Sequence, residues 1–160
     1  MAGTATADYD SLALALVSGH LFPNDTSAEP LRQEIPLDAE RKVLLVEDEA
    51  LVAALAVDAL EELGYSTVEA TTAKAAMGIV SGGTALLFAI VDVGLPDGRG
   101  DALAIELRKL RAELPIIIAT GYDEAHLDER ARNHPLMAVL NKPYDIAQLQ
   151  ASISKVSGPA

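Results

Sequence analysis

The sequence predicts an α/β fold, a doubly wound five-stranded parallel sheet of the (βα)5 type, with an N-terminal helical extension ahead of it. Two observations carry this. From Val43 onward, short β-branched runs alternate with stretches whose apolar residues recur at helical spacing, the signature of repeated βαβ units. The runs are apolar without alternation, as strands covered by helices on both faces should be.

Residues 1–40 read as an extension. A leucine-rich stretch predicts a helix from about Tyr9 to Leu21, and Pro23, Pro30 and Pro36 then mark a linker that cannot sustain one. Residues 41–157 form the main domain. Its first strand is Val43 to Val46. Ala50 to Leu63 reads as a helix with Leu51, Leu55, Ala59 and Leu63 on its apolar face and Gly64 in the C-cap region. Tyr65 to Glu69 is the second strand and Ala73 to Ser81 the second helix. Gly82-Gly83 turns into the most apolar strand, Leu86 to Val91, which stops at Asp92. After a loop with Pro96 and Gly98, the recurrence of Leu103, Leu107, Leu110 and Leu114 predicts a third helix. Pro115 to Ala119 is strand four, Glu124 to Asn133 a short helix, and Met137 to Leu140 strand five, before Asn141-Lys142-Pro143. Ile146, Leu149, Ile153 and Val156 supply the apolar face of the last helix.

Composition removes whole classes of function. With 24 acidic against 12 basic residues the net charge is −12, which repels nucleic-acid backbones and anionic lipid headgroups. The absence of cysteine excludes disulfides, thiolate metal sites and a cysteine nucleophile, and suits a reducing, cytoplasmic setting. The longest apolar run, Ala50 to Val57, is far short of the ~20 residues that cross a bilayer. His20, His126 and His134 show no ligand spacing and read as surface residues.

In an open parallel sheet, ligands bind beyond the carboxyl ends of the strands. The expected strands deliver Glu47 and Asp48, Asp92, Thr120 and Lys142 to that edge. Gathering three carboxylates costs on the order of a kcal/mol or more per pair through Coulomb repulsion, so a positive group must offset it. A hard divalent cation such as Mg²⁺ suits carboxylate oxygens, whereas zinc favours histidine or thiolate. Glu49, directly before the helix, reads instead as a complement to the helix terminus.

Through Val46-Glu47-Asp48, Asp92 with Pro96 and Gly100, Ala119-Thr120-Gly121 and Asn141-Lys142-Pro143, residues 41–157 resemble the receiver domain of two-component response regulators. That resemblance implies the flavodoxin-like strand order 2-1-3-4-5 and a phosphoacceptor rather than an enzyme. It implies phosphorylation at Asp92, Mg²⁺ held by Glu47, Asp48, Asp92 and the backbone carbonyl of Gly94, and phosphoryl oxygens bound by Thr120 and Lys142. A cis Lys142–Pro143 bond is also implied. The implied partners are a sensor histidine kinase or phosphotransfer protein and a downstream protein target.

Two features depart from the family pattern. The position three before the lysine, where receivers commonly carry a switch aromatic, is Val139. Ala119-Thr120-Gly121-Tyr122 is similar to the FAT GUY subgroup, with Ile118 where its phenylalanine stands, which implies sensor kinases of the HWE type. Gly121, Tyr122 and Pro143 are then expected to modulate the site, Tyr122 by slowing hydrolysis of the acyl phosphate. An aspartyl-phosphate phosphatase would want a second acid at position 94, which is glycine. A pseudo-receiver that never takes phosphate is the competing reading. With few residues after the last helix, a receiver without an output domain is expected. The extension is expected to dock its helix on the face of the fourth and fifth helices, in the same chain or in a second copy as a homodimer.

Overall fold

The computed structural model describes residues 41–121 and 123–158. The expected helix at 9–21, its docking, the linker and Tyr122 lie outside the described residues. Among those residues, the strands of the main sheet are β1 (Lys42–Val46), β2 (Ser66–Ala70), β3 (Ala89–Asp92), β6 (Ile116–Thr120) and β7 (Met137–Asn141). A two-residue ladder, β4 (Gly94–Leu95) with β5 (Gly98–Arg99), makes a small hairpin between β3 and the next helix. The helices are α1 (Ala50–Glu62), α2 (Ala73–Ser81), α3 (Gly100–Leu110), α4 (Glu129–Arg132) and α5 (Ile146–Ser157).

The sheet is parallel in the order β2-β1-β3-β6-β7, the order the resemblance implies. Successive side chains of each strand point to opposite faces, so Val43 and Leu45 join one cluster with α1 and α5 while Leu44 and Val46 join another with α2, α3 and α4. Both faces are covered, which is why the strands carry unbroken apolar runs.

Local sequence explains the helix ends. Gly64, at φ 85°, closes α1 in a Schellman arrangement: its N–H donates to the Glu61 carbonyl, and the Tyr65 N–H to that of Leu60. Thr72 caps α2 through its hydroxyl, and Asp145 with Gln148 forms a capping box on α5.

Several expectations are corrected. The buried face of α1 is Ala53, Ala56 and Leu60, while Leu51 is 70% and Leu55 63% exposed. Apolar residues surround most of this helix, so two stripes fit its periodicity, and the one with small residues lets the backbone approach the sheet. α3 ends at Leu110 because Arg111 turns extended, its guanidinium donating to the Val80 and Thr84 carbonyls. Leu110 is therefore exposed, and Leu114 reaches the core from the following turn. The helix expected over 124–133 is a 3₁₀ turn, Glu124–His126, and the single turn α4, parted where Leu127 extends into the core. β3 begins at Ala89, later than expected, since Leu87 is half exposed ahead of the paired segment. Glu49 precedes α1 but makes no side-chain cap.

Candidate functional site

The strand order puts the carboxyl ends of β1, β3, β6 and β7 side by side. Each ends in a polar residue or is followed by one, and these gather at one edge. Glu47, Asp48, Glu49, Asp92, Val93, Gly94, Gly121 and Lys142 line an open cavity of about 730 Å³ there. One carboxylate oxygen from each of Glu47, Asp48 and Asp92 lies within 4.8 Å of the others.

The charges are arranged unevenly. The Lys142 Nζ lies 2.7 Å from both Glu47 Oε2 and Asp92 Oδ1, so its ammonium bridges two of the three carboxylates. Burial alone pulls the Lys142 pKa down, and its hydrogen bonds and charge interactions with Asp92 and Glu47 outweigh this, holding the pKa above the usual lysine value. The remaining oxygens take backbone donors: Glu49 N–H on Glu47 Oε1 at 3.1 Å and Gly94 N–H on Asp92 Oδ2 at 3.0 Å. A carboxylate oxygen has two lone pairs, so these bonds leave acceptor capacity for a cation.

The donor set fits a hard cation. It is oxygen only, and two ~2.1 Å bonds in line would separate octahedral magnesium ligands by at most ~4.2 Å, so modest carboxylate rotation closes the observed spread.

The expected residues are not all equivalent. Gly94 and Gly121 line the cavity. Thr120 ends β6 beside this edge, fully buried, its carbonyl accepting the Lys142 N–H at 2.8 Å. The Lys142–Pro143 bond is cis. Val139 packs, partly buried, among the residues under α3 and α4. His126 is exposed as expected, whereas His134 is half-buried and its Nδ1 accepts the Leu136 N–H.

The spacing of known motifs does not reveal Asp97, Arg99 and Asp101. Asp97 reaches the start of α2, and Arg99 and Asp101 tie α3 to the 3₁₀ turn and α4. The bonds that tie them to other elements reach partners more than twenty positions away, beyond any local pattern; the turn chemistry of Pro96-Asp97-Gly98 is the available signal.

Residues 43–154 match the family model described as the response regulator receiver domain, and the chain belongs to that family. It is 35% identical over 124 residues to the sensor kinase CckA of Brucella abortus, covering 75% of this chain and 13% of that protein. It is 36% identical over 114 residues to the transcriptional regulatory protein PdtaR of Mycobacterium tuberculosis, covering 71% of this chain and 55% of that one. The chain thus spans about half or less of these curated relatives. Among solved structures, the receiver domain of the hybrid histidine kinase CckA matches at TM-score 0.59 and 27% identity, over 73% of this chain and 99% of that one. The response regulator receiver protein of Sinorhizobium medicae WSM419 matches at TM-score 0.66 and 22% identity, over 74% and 95%, a likeness of fold. Among the described residues no helix is long and apolar enough to cross a membrane.

Proposed function

We propose that this receiver domain takes a phosphoryl group from a sensor histidine kinase or phosphotransfer protein onto Asp92. The observation that carries the reading is the pairing of Asp92 with the Lys142 ammonium at 2.7 Å inside the acidic cluster, at the mouth of an open cavity. An Asp92 carboxylate oxygen attacks phosphorus, the P–N bond to the kinase histidine breaks, and its electron pair leaves with the imidazole. Glu47, Asp48, Asp92 and the Gly94 carbonyl would hold Mg²⁺, which when bound neutralises charge on the phosphoryl oxygens. On forming the acyl phosphate the negative charge lies on the phosphoryl oxygens rather than on the Asp92 carboxylate, and the Lys142 ammonium then turns to those oxygens. Thr120 supplies a hydroxyl at the same edge. Positioning and electrostatics, rather than an acid–base pair, do the chemistry.

A kinase of the HWE type is the proposed donor, on the strength of Ala119-Thr120-Gly121 and of valine at 139. The signal passes to a downstream protein target. Incubation with a panel of phosphorylated sensor kinases tests this. Label is expected to move to this chain from some members of the panel in Mg²⁺ and not in chelator. A chain that takes label from none of them and from no small phosphoryl donor is a pseudo-receiver, and the proposal falls.

A further inference from the structure

The segment from Asp92 to Gly100 closes on itself. The Gly100 N–H donates to the Val93 carbonyl at 2.9 Å, and a Cβ on Gly100 would stand 1.9 Å from the Asp92 carbonyl oxygen, so only glycine permits this approach. Between these points the β4–β5 hairpin projects, pairing Gly94 with Arg99 and Leu95 with Gly98. Gly94 also orients the acceptor, through its N–H on Asp92 Oδ2.

This hairpin is fastened on two sides. At its foot, Arg99 donates Nε and Nη2 to the two oxygens of buried Asp101 and Nη2 to the His126 carbonyl, while Asp101 Oδ2 accepts the Asp128 N–H at 2.8 Å. At its tip, Asp97 accepts the Ala73 N–H on Oδ1 at 2.8 Å and the Lys74 N–H on Oδ2 at 3.0 Å. These are the first two residues of α2, whose own cap, the Thr72 hydroxyl, takes the Ala75 N–H. α2 is itself seated in the core by Ala76 and Val80 and is a firm anchor. Asp97 thus ties the tip to a second element, and Gly94 lies three residues away.

We infer that Asp97 is a positioning residue for the phosphoacceptor site: its two bonds to the start of α2 hold the hairpin so that Gly94 keeps the Asp92 carboxylate and its own carbonyl in place for metal and phosphoryl group. This rests on the function proposed above. The test is calorimetric Mg²⁺ titration, with the Mg²⁺ dependence of phosphorylation by a small acyl phosphate, for wild type, Asp97→Ala, Asp97→Asn and Thr72→Ala. Asp97→Ala is expected to weaken Mg²⁺ binding roughly ten-fold, the low end for groups that orient metal ligands, and to raise the half-saturating Mg²⁺ in step while the rate at saturation changes by less than about three-fold. Asp97→Asn, which keeps one acceptor oxygen, falls between. Thr72→Ala loosens the same helix end without touching the hairpin, so its melting temperature drops while its Mg²⁺ affinity holds. Asp97→Ala within about two-fold of wild type, or Thr72→Ala weakening Mg²⁺ equally, overturns the inference. If Asp97→Ala does not fold, Asp97→Asn against Thr72→Ala decides on the same criterion. A wild-type chain that takes neither Mg²⁺ nor phosphoryl group overturns the proposed function and this inference together.

Discussion

Lys142 bridges Glu47 and Asp92 at 2.7 Å each, so this chain carries its own counter-charge at the place where a divalent cation is proposed to sit. The two cations compete for the same carboxylates. Replacing Lys142 by alanine removes a positive charge next to two of the proposed ligands, an effect on the order of 1 kcal/mol in a partly solvated site. Lys142→Ala is therefore expected to bind Mg²⁺ about five-fold more tightly by calorimetry, while phosphorylation by acyl phosphate slows on the order of a hundred-fold for want of a cation on the phosphoryl oxygens. Weaker Mg²⁺ binding in that variant would contradict the competition. At this scale the sequence was legible where chemistry coincides with a strand end: Glu47, Asp48, Asp92 and Lys142 all stand where the pattern put them. That Thr120 is fully buried was not legible, because a strand end does not state how deeply its last side chain lies.

The junction of α3, the 3₁₀ turn and α4 is held by charge as well as by packing. Burial pushes the Asp101 carboxyl up, and hydrogen bonds from Arg99 and from the Asp128 and Ala102 N–H groups, with the Arg99 charge, more than offset this, leaving its pKa below the ordinary value. The Arg130 side chain, with the Arg130 N–H, lowers Asp128 to about 2. The backbone N–H groups of Lys74 and Ala73 lower Asp97. Carboxyls depressed in the folded state stabilise it fully above their unfolded pKa of about 4, and that contribution is lost as pH falls through the folded values toward about 2. Thermal midpoints are accordingly expected to fall as pH is lowered from about 4 to about 2, and Arg99→Ala, which removes the charged partner of Asp101, to flatten that fall. A midpoint that rises over this window, or an unchanged slope in Arg99→Ala, would contradict the assignment. Element boundaries were legible where a cap or a proline marks them, as at Gly64 and Pro143. They were misread where apolar residues ring a helix, as in α1, or where the stop is a long-range bond, as Arg111 makes at the end of α3.

The whole domain follows from strands that are apolar on both faces. Such strands demand a helix layer on each side, and the order β2-β1-β3-β6-β7 brings four carboxyl ends together at one edge. Fold and site were thus legible from one pattern, since the same runs that define the strands define where they stop. Two-residue strands carry no periodicity, so the hairpin between β3 and α3 leaves no strand pattern in the sequence. The central claim, that Asp92 receives the phosphoryl group, is tested most directly by intact-mass spectrometry after incubation with a small acyl phosphate. Wild type is expected to gain a single phosphoryl group in Mg²⁺ and none in chelator, and Asp92→Asn to gain none under either condition. An Asp92→Asn protein phosphorylated at the wild-type rate would contradict it.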